Sequence, residues 1–376
     1  MTGALRILIT NICLDNRSGT ESVVRDLIVN FARRGHLPTL YAPRLGAPAD
    51  ELRQCGGHVV DRLDEMTGMP DIIHGHHNVP TVEAMARFST CPAIFVAHDW
   101  RSWFDWPPDF ERVHRYVAVD ETRRDYLIRD VGIEPERVLI LHNAVDLARI
   151  RVRQTQLDAR PRRALAFTKT SEQMPALDEA CSRWGITLGS LGRGTGDLSG
   201  EPEKLLVQQD LVFATGRSAI EALCCGAAVI VGDARGLAGM VTTANYAALR
   251  ALNFGSGAFT RPITVDAIMT EIARYDRDNA LAVAARIRED ADLEYLLDRL
   301  EILYREAMAA GRSRLAWSAH DRRALRRFVK SWPPQAGPDA ASWEPNRSGL
   351  AGLRRQIDKQ ARPFAPLRRI ADAIGW

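Results

Sequence analysis

The sequence predicts an α/β protein of two domains, each built on a parallel sheet, followed by a basic helical tail. The chain of 376 residues has the length of two domains and an extension. Short apolar runs alternate with amphipathic stretches as far as residue 310, as in proteins whose strands are joined by helices. We place the first domain at residues 1–150, a polar linker at 151–163, the second domain at 164–310 and the tail at 311–376.

The composition is typical of a globular protein with reduced thiols. Apolar residues make up 46% of the chain and charged residues 26%, and no apolar run has the length of a membrane span. The N-terminal segment lacks the cleavage pattern of a signal peptide. Six cysteines without a CxxC pair indicate buried thiols and a cytoplasmic location.

The first domain opens with a strand–helix–strand unit. Leu5–Thr10 is an apolar strand, Ser22–Arg34 has the stripe of an amphipathic helix, and Thr39–Ala42 is a second strand, so the two strands should be parallel. The loop between them lacks the GxGxxG pattern, which excludes a nicotinamide site there. Further strands are predicted at residues 58–60, 71–76, 93–97, 116–119 and 138–141, with helices at 79–88 and 122–130.

Polar side chains follow several of these strands. Ligands of an open parallel sheet bind beyond the carboxyl ends of its strands, and buried polar groups are costly unless they are solvated or used. We therefore expect a binding site at one edge, formed by Asn11, His74, His76, His98, Asp99, Asp120, His142 and Asn143. His74, His76 and His77 lack the further ligands of a zinc centre, so no metal is expected.

An aromatic loop, WRSWFDWPP, follows Asp99 and contains Trp100 and Trp103. It could form an apolar floor for a sugar face or a lipid-linked acceptor. The alternative is a loop that simply folds onto the domain.

The second domain is organised around residues 213–233, FATGRSAIEALCCGAAVIVGD, which read as loop, helix and buried strand. Ser218 is expected to cap the helix, with Glu221 at the capping-box spacing. Gly216 and Arg217 before the helix would form an anion site, and Glu221 could bind a ribose. The alternative is that Ser218 and Glu221 only cap the helix. We also expect a glycine-rich loop at 192–196, a helix start at 233–240 and a long helix at 280–310.

The order of these motifs resembles that of the family 4 glycosyltransferases of the GT-B fold. SGTESVV is similar to the family's GGxE loop, VAVDETRRDYL to AVSExxRxxL, and ILHNAVDLARI to IPNGVD. DIIHGHH and VAHDW also fall in the family's order, and IEALCCGAAVIVGDARGLAGMV is similar to EAMAxGxPVIASDxGGxxE. Together these motifs cover residues 5 to about 300.

The resemblance implies two Rossmann-like domains with a cleft between them, a nucleotide-diphospho-sugar donor, no metal or other cofactor, and transfer with retention. It also implies that Glu221 binds the donor ribose, that the backbone of Gly19 approaches the diphosphate, and that His98 lies near the donor sugar. The assignments are then catalysis for His98 and Asp99, the donor for Gly19, Thr20, Lys169, Arg217, Ser218 and Glu221, and the acceptor side for Glu21, Trp100 and Trp103.

Two features depart from the family. The glutamate expected eight residues before Glu221 is Phe213, and the cation pair for the diphosphate is reduced to Lys169, with Arg217 as a second charge. An inactive GT-B-fold binding protein, or a partner of an active transferase, is therefore the alternative function. An epimerase or hydrolase on the same fold is a third possibility.

The tail differs from the rest of the chain. Residues 312–376 carry 14 Lys and Arg against 5 Asp and Glu, and residues 324–332 and 350–376 are basic and amphipathic. This pattern suits an anionic membrane surface, or a tail that is solvated or docks onto its own domain. Nucleic acid is not expected, because no nucleic-acid fold signature accompanies the charge. We expect a cytoplasmic, membrane-peripheral enzyme of polysaccharide biosynthesis with a glycan or lipid-linked acceptor.

Overall fold

The computed structural model of the chain describes residues 3–17, 19–99, 102–168, 174–191, 201–311 and 318–330. The predictions for Trp100, Lys169 and residues 192–196 and 350–376 lie outside this range. Two compact units are present. Unit 1 contains residues 1–118, 123–139 and the chain from Leu300 onward, and unit 2 contains residues 119–122 and 140–299. Residues 140–150, which we assigned to the first domain, thus group with unit 2.

Unit 1 is built on a seven-stranded sheet. Its strands are β1 (Arg6–Thr10), β2 (Leu37–Tyr41), β3 (His58–Val60), β4 (Ile72–His76), β5 (Ala93–Ala97), β6 (Val113–Ala118) and β7 (Val138–Ile140). They lie in the order β3-β2-β1-β4-β5-β6-β7, and β1 to β6 pair in parallel. The first helices of the chain are α1 (Gly19–Arg33), α2 (Ala47–Gln54), α3 (Asn78–Arg87) and α4 (Glu121–Arg129). The strand–helix–strand opening is confirmed, with α1 starting at Gly19 instead of Ser22, whereas α2 was not predicted.

The centre of this sheet is covered on both faces, which explains why its strands are continuous apolar runs. Ile7, Leu8 and Ile9 of β1 are each at most 1% exposed. Gly75 of β4 lies directly beneath α3, because a methyl group in place of its hydrogen would be 2.6 Å from the Thr81 side chain. The missing side chain lets α3 approach β4 closely, beside the histidines that flank this glycine.

Unit 2 is built on a five-stranded sheet. Its strands are β8 (Arg163–Phe167), β9 (Thr187–Leu191), β10 (Leu211–Ala214), β11 (Ala228–Asp233) and β12 (Gly236–Met240), in the order β12-β11-β10-β8-β9. Its helices are α5 (Pro175–Arg183), α6 (Pro202–Leu206), α7 (Arg217–Cys224), α8 (Tyr246–Ala251), α9 (Val265–Ile272) and α10 (Arg277–Asp290). The strands β8 to β11 pair in parallel and β12 is antiparallel to β11. Neighbouring residues of β10 face opposite cores: Val212 packs with α7 and α10, and Phe213 packs with α5 and α9.

Two predictions for the second half were wrong. Residues 233–240 do not open a helix but form the hairpin of β11 and β12, in which Ile230 pairs with Met240. The single helix expected at residues 280–310 is divided into α10 and α11 (Leu293–Gly311). Val145 pairs with the chain at the break, where its N–H donates to Ala291 O at 2.9 Å and its carbonyl accepts from Leu293 N at 3.1 Å. This pairing takes up backbone groups that a continuous helix would need.

The beginning of the tail is a helix docked on unit 1. In α12 (Ala319–Lys330), Asp321 is fully buried and accepts a hydrogen bond from Arg112 Nε at 3.1 Å. Ala324 and Leu325 are also buried. The exposed positions include Arg322, Arg323, Arg326 and Arg327. The amphipathic pattern predicted here is therefore confirmed over the described residues. None of the described helices is both long enough and apolar enough to cross a membrane.

Candidate functional site

Three imidazole rings form a stack at the carboxyl edge of the unit 1 sheet. His74 and His76 lie two residues apart on β4 and therefore share a face, and His98 directly follows β5. Ring centroids are 4.6 Å apart for His74 and His76 and 4.9 Å apart for His76 and His98, with 17° between the planes in both pairs. His76 Nδ1 and His98 Nε2 share a hydrogen bond of 2.6 Å, and His74 Nδ1 is hydrogen-bonded to the hydroxyl of Tyr304 on α11. Hereafter we call His74, His76 and His98 the histidine stack.

Burial keeps the inner part of the histidine stack neutral. His74 and His76 are each 1% exposed. Loss of solvation lowers the pKa of His74 to about 3, with a further contribution from His98. Burial likewise lowers the pKa of His76 well below its ordinary value, and the neighbouring histidines add to this effect. These rings can therefore donate or accept hydrogen bonds near pH 7 without carrying charge.

The aromatic loop packs against unit 1 over its described part. His77, at φ 62° before α3, accepts a hydrogen bond from Ile12 N at 3.1 Å and meets the Phe104 ring edge-on at 4.9 Å. The carbonyl of Trp103 accepts from Asn78 Nδ2 at 2.7 Å. These contacts agree with the loop-packing alternative, although the half-buried Trp103 still presents part of its surface.

Asp99 lies beside an arginine that the sequence did not reveal. Its carboxylate is 3.6 Å from Arg123 Nη2, and Arg123 Nε donates to the carbonyl of His98 at 3.2 Å. Arg123 comes from α4 and is buried, so it connects the two predicted catalytic residues through one side chain.

The N-terminus of α1 carries the predicted Gly19, Thr20 and Glu21. A methyl group on Gly19 would meet no atom within 4 Å, so space is open beside this backbone. Glu21 is buried, and its carboxylate accepts from Cys13 Sγ at 3.2 Å. Burial, followed by the charge of Glu21, raises the pKa of the Cys13 thiol.

One group of acidic and thiol ligands in the described chain is close enough to share a metal ion. It consists of Cys13, Asp15 and Glu21, whose ligand atoms lie within 4.8 Å of one another. Asp15 already pairs with Arg44. A neutral thiol and a carboxylate neutralised by arginine are poor metal ligands, so the group does not fit a metal centre.

In unit 2, α7 holds two of the predicted donor residues, Arg217 and Glu221, in an ion-pair network. Arg217 Nε donates to Glu221 at 3.0 Å, and Arg217 Nη1 donates to the carbonyl of Ala144 at 2.9 Å. Arg149 lies 3.7 Å from Glu221 and donates to Glu203 at 2.7 Å. Sequence reasoning missed Arg149 and Glu203, which come from distant segments.

The capping prediction for α7 was wrong. The residue before the helix is Gly216, at φ 59° and ψ −131°, and no described side chain caps the helix. Ser218 lies inside the first turn instead. Glycine adopts this positive φ without strain, which explains why it precedes the helix.

The expected polar edge is divided between the two units. Asn11, His74, His76, His98 and Asp99 belong to unit 1, whereas Asp120, His142 and Asn143 belong to unit 2. In unit 2, the carbonyl of Asn143 accepts from Arg250 Nη1 at 3.1 Å. Burial, and then the charge of Arg250, lowers the pKa of His142.

Comparison with solved structures identifies the fold. The chain superposes on Anabaena HepE in complex with UDP and glucose with a TM-score of 0.59 at 15% identity, covering 80% of this chain and 100% of that one. A glycosyltransferase from Rickettsia africae gives 0.58 at 11% identity, covering 82% and 99%. The catalytic domain of Arabidopsis thaliana starch synthase IV gives 0.50 at 11% identity, covering 82% and 100%. This likeness shows the fold, which is the GT-B fold of glycosyltransferases.

One segment of the chain also matches a sequence family. Residues 17–149 match the family described as Glycosyltransferase Family 4, and this range includes α1, the histidine stack and Asp99. This part of the chain is therefore similar to the family 4 glycosyltransferases. No curated protein matches the chain significantly.

Proposed function

We propose that the protein transfers a sugar from a nucleotide-diphospho-sugar to a glycan or lipid-linked acceptor, with retention and without a metal ion. The observation that carries this proposal is the presence of the histidine stack and Asp99 within a matched family 4 domain. The stack provides neutral hydrogen-bonding rings at a strand end, which is where an open α/β sheet binds its ligand.

Most of the donor residues in this proposal belong to unit 2. HepE was solved with UDP and glucose, and starch synthase IV with ADP and acarbose, so uridine and adenosine diphosphates are the first nucleotides to test. Gly216 and Arg217 at the start of α7 would receive the diphosphate, Glu221 would accept from the ribose hydroxyls, and Ser218 and Lys169 would contribute further contacts.

Catalysis in this proposal is electrostatic. Arg217, Lys169 and the backbone of Gly19 and Thr20 would stabilise the charge that develops on the leaving diphosphate, as preorganised donors do in other enzymes. His98 and Asp99 would position the donor sugar or the acceptor hydroxyl. Glu21, Trp100 and Trp103 would serve the acceptor side.

A thermal-shift screen without metal tests donor binding first. UDP, ADP, GDP, CMP and their common sugars are compared, and a ligand at about 100 times its Kd should stabilise the protein by about 2.7 kcal/mol. Glu221→Ala should abolish the shift. Glu221→Gln, which retains an oxygen for the ribose, should keep part of it.

Turnover assays then separate the possible reactions. Nucleotide release that depends on an acceptor indicates transfer, whereas release without an acceptor indicates hydrolysis. The anomeric configuration of the product tests retention. Loss of activity in EDTA that Mn²⁺ or Mg²⁺ restores would contradict metal independence.

The second candidate is a GT-B-fold binding protein without transfer activity, or a partner of an active transferase. Phe213 favours it, because this side chain is 1% exposed inside β10 and leaves no carboxylate at the position where the family places one. Nucleotide binding without any turnover would support this candidate. Acceptor-dependent turnover would exclude it.

The proposal also includes a peripheral location at the inner face of the membrane. Arginines 322, 323, 326 and 327 on α12 are exposed, and each basic residue near an anionic surface contributes about 1 kcal/mol. Arg323→Ala with Arg326→Ala should weaken binding to vesicles of anionic phospholipid roughly 30-fold. The matched control is Arg129→Ala with Arg124→Ala on α4, which should bind as the wild type does. Equal binding to neutral phosphatidylcholine vesicles would contradict the proposal.

A further inference from the structure

We propose that His76 is a positioning residue that fixes His98 as the tautomer protonated on Nδ1, so that His98 acts toward its ligand as a hydrogen-bond donor. The inference rests on the proposed function, in which His98 contacts the donor sugar or the acceptor hydroxyl. His76 lies on β4, and in this inference it acts through His98 and does not contact the substrate.

The hydrogen bond between the two rings couples their tautomers. His76 Nδ1 and His98 Nε2 are 2.6 Å apart, and a neutral imidazole has one N–H donor and one acceptor nitrogen. One ring must therefore donate and the other accept. If His76 donates from Nδ1, His98 accepts at Nε2 and carries its own proton on Nδ1.

The surroundings of His76 select the direction of this bond. His76 Nε2 is buried and has no hydrogen-bond partner among the described residues. A proton on Nε2 would create a buried N–H without an acceptor, which proteins tolerate less well than an unused acceptor. The proton of His76 is therefore on Nδ1, where it donates to His98.

The histidine stack also fixes the plane of His98. His74 and His76 are held by β4, and His98 lies against His76 at 4.9 Å with 17° between the rings. At its other end, the stack is anchored by the hydrogen bond of His74 to Tyr304. A ring with a fixed plane and a fixed tautomer can present one N–H to a hydroxyl oxygen in a defined direction.

Spectroscopy of histidine-labelled protein tests the tautomer without reference to activity. Two-bond ¹H–¹⁵N correlation spectra separate protonated from bare ring nitrogens, and His98→Ala identifies the His98 signals. We expect Nδ1 of His98 to be protonated in the wild type and in His76→Asn, whose amide can donate from nearly the same place. We expect His76→Leu to shift His98 toward the Nε2-protonated form. Protonation on Nε2 in the wild type, or an unchanged His98 pattern in His76→Leu, would overturn the proposal.

Kinetics test whether this positioning matters for turnover. His76→Leu should lower kcat/KM roughly 10- to 100-fold, as loss of such an orienting partner does elsewhere, and His76→Asn should restore most of it. In a His98→Ala background, His76→Leu should cause no further loss, because its effect passes through His98. Additive losses would overturn the proposal.

Tyr304→Phe is the structural control, since it removes a buried hydrogen bond of the same stack without contacting His98. Its His98 spectrum should match the wild type, and a tautomer change as large as that of His76→Leu would overturn the assignment to His76. Absence of wild-type turnover would count against the proposed function alone, because the spectra still decide the tautomer.

Discussion

The carboxyl edges of the two sheets hold buried polar groups in different ways. In unit 1, His74 and His76 are buried imidazoles whose pKa is lowered by burial, so these two rings carry no charge near pH 7. In unit 2, Arg217 and Glu221 are 7% and 4% exposed and form an ion pair at 3.0 Å. The two buried histidines avoid charge, whereas the ion pair of unit 2 compensates it.

This difference determines which perturbation each edge tolerates. Removal of one partner from a buried ion pair leaves a charge without compensation, so unit 2 should be sensitive to single substitutions. A neutral stack leaves no charge behind when one ring is lost, but acid must place a proton on a buried imidazole. Unit 1 should therefore be the more sensitive edge to low pH.

The largest loss of stability is expected when a substitution places an unpaired charge in the core of unit 2. Phe213→Glu would restore the carboxylate of the family pattern, but residue 213 lies in the core between α5 and α9. Burial of a lone carboxylate and loss of the aromatic packing should cost more than about 4 kcal/mol, measured by urea unfolding. Phe213→Leu, which stays apolar, should cost about 1 to 2 kcal/mol. A folded Phe213→Glu protein with wild-type stability would show that this core accepts an unpaired charge.

Glu221→Ala should have the next largest effect. It leaves Arg217 buried without its carboxylate partner and should lower the free energy of unfolding by about 3 to 5 kcal/mol. Adding Arg217→Met removes the orphaned charge, so the double variant should regain part of the loss. Urea unfolding of the wild type, both single variants and the double variant gives the coupling energy. Additive losses would contradict the compensation described for this edge.

The histidine stack was partly predictable because its signals are local. His74 and His76 alternate along a strand and His98 follows one, so the sequence placed all three at a strand end. Tyr304 was not predictable, since it lies 230 residues from His74 and reaches it only through tertiary packing. The same holds for Arg149 beside Glu221.

Sequence motifs were misleading where the exact end of a strand or the start of a helix determines the position of a side chain. By residue spacing, Phe213 occupies the position of a family glutamate. In the structure, β10 extends to Ala214, and the side chain of Phe213 lies in the core. The residue type of Ser218 predicts a helix cap, but its side chain does not cap α7. The helix instead begins at Arg217, directly after Gly216 with its positive φ, and the TG pair in the sequence indicates this start.

Gly75→Ala is expected to have a smaller effect, confined to unit 1. The added methyl group would lie 2.6 Å from Thr81, which is itself hydrogen-bonded to Thr10 at 2.9 Å, so α3 must shift. Overpacking of this kind should cost about 1 to 3 kcal/mol in thermal or urea unfolding. Gly3→Ala, where a methyl group meets nothing within 4 Å, is the matched control. Wild-type stability in Gly75→Ala would show that α3 is not packed closely against β4 at this position.

The smallest effect is the acid response of the stack, and it compares the two edges most directly. The pKa of His74 is about 3 in the folded protein against 6.5 for an ordinary histidine, so its contribution to stability is complete above pH 6.5 and is lost as the pH falls toward 3. One unit below pH 6.5, the loss should be about 1.4 kcal/mol.

The contribution of Glu83 to stability changes with pH in the opposite direction to that of His74. Burial raises the pKa of this carboxyl to about 7, so its contribution is complete below pH 4.5 and is lost as the pH rises through 7. The measurement is therefore a difference between two proteins, wild type and His74→Asn, in the free energy of unfolding from pH 7.5 to 5.5. Glu83 is present in both and cancels, and His58→Asn, at an exposed position of β3, is the control substitution. The wild type should lose stability relative to His74→Asn as the pH falls. Parallel curves would show that His74 has the same pKa in the folded and the unfolded protein, so that burial does not keep this ring neutral in acid.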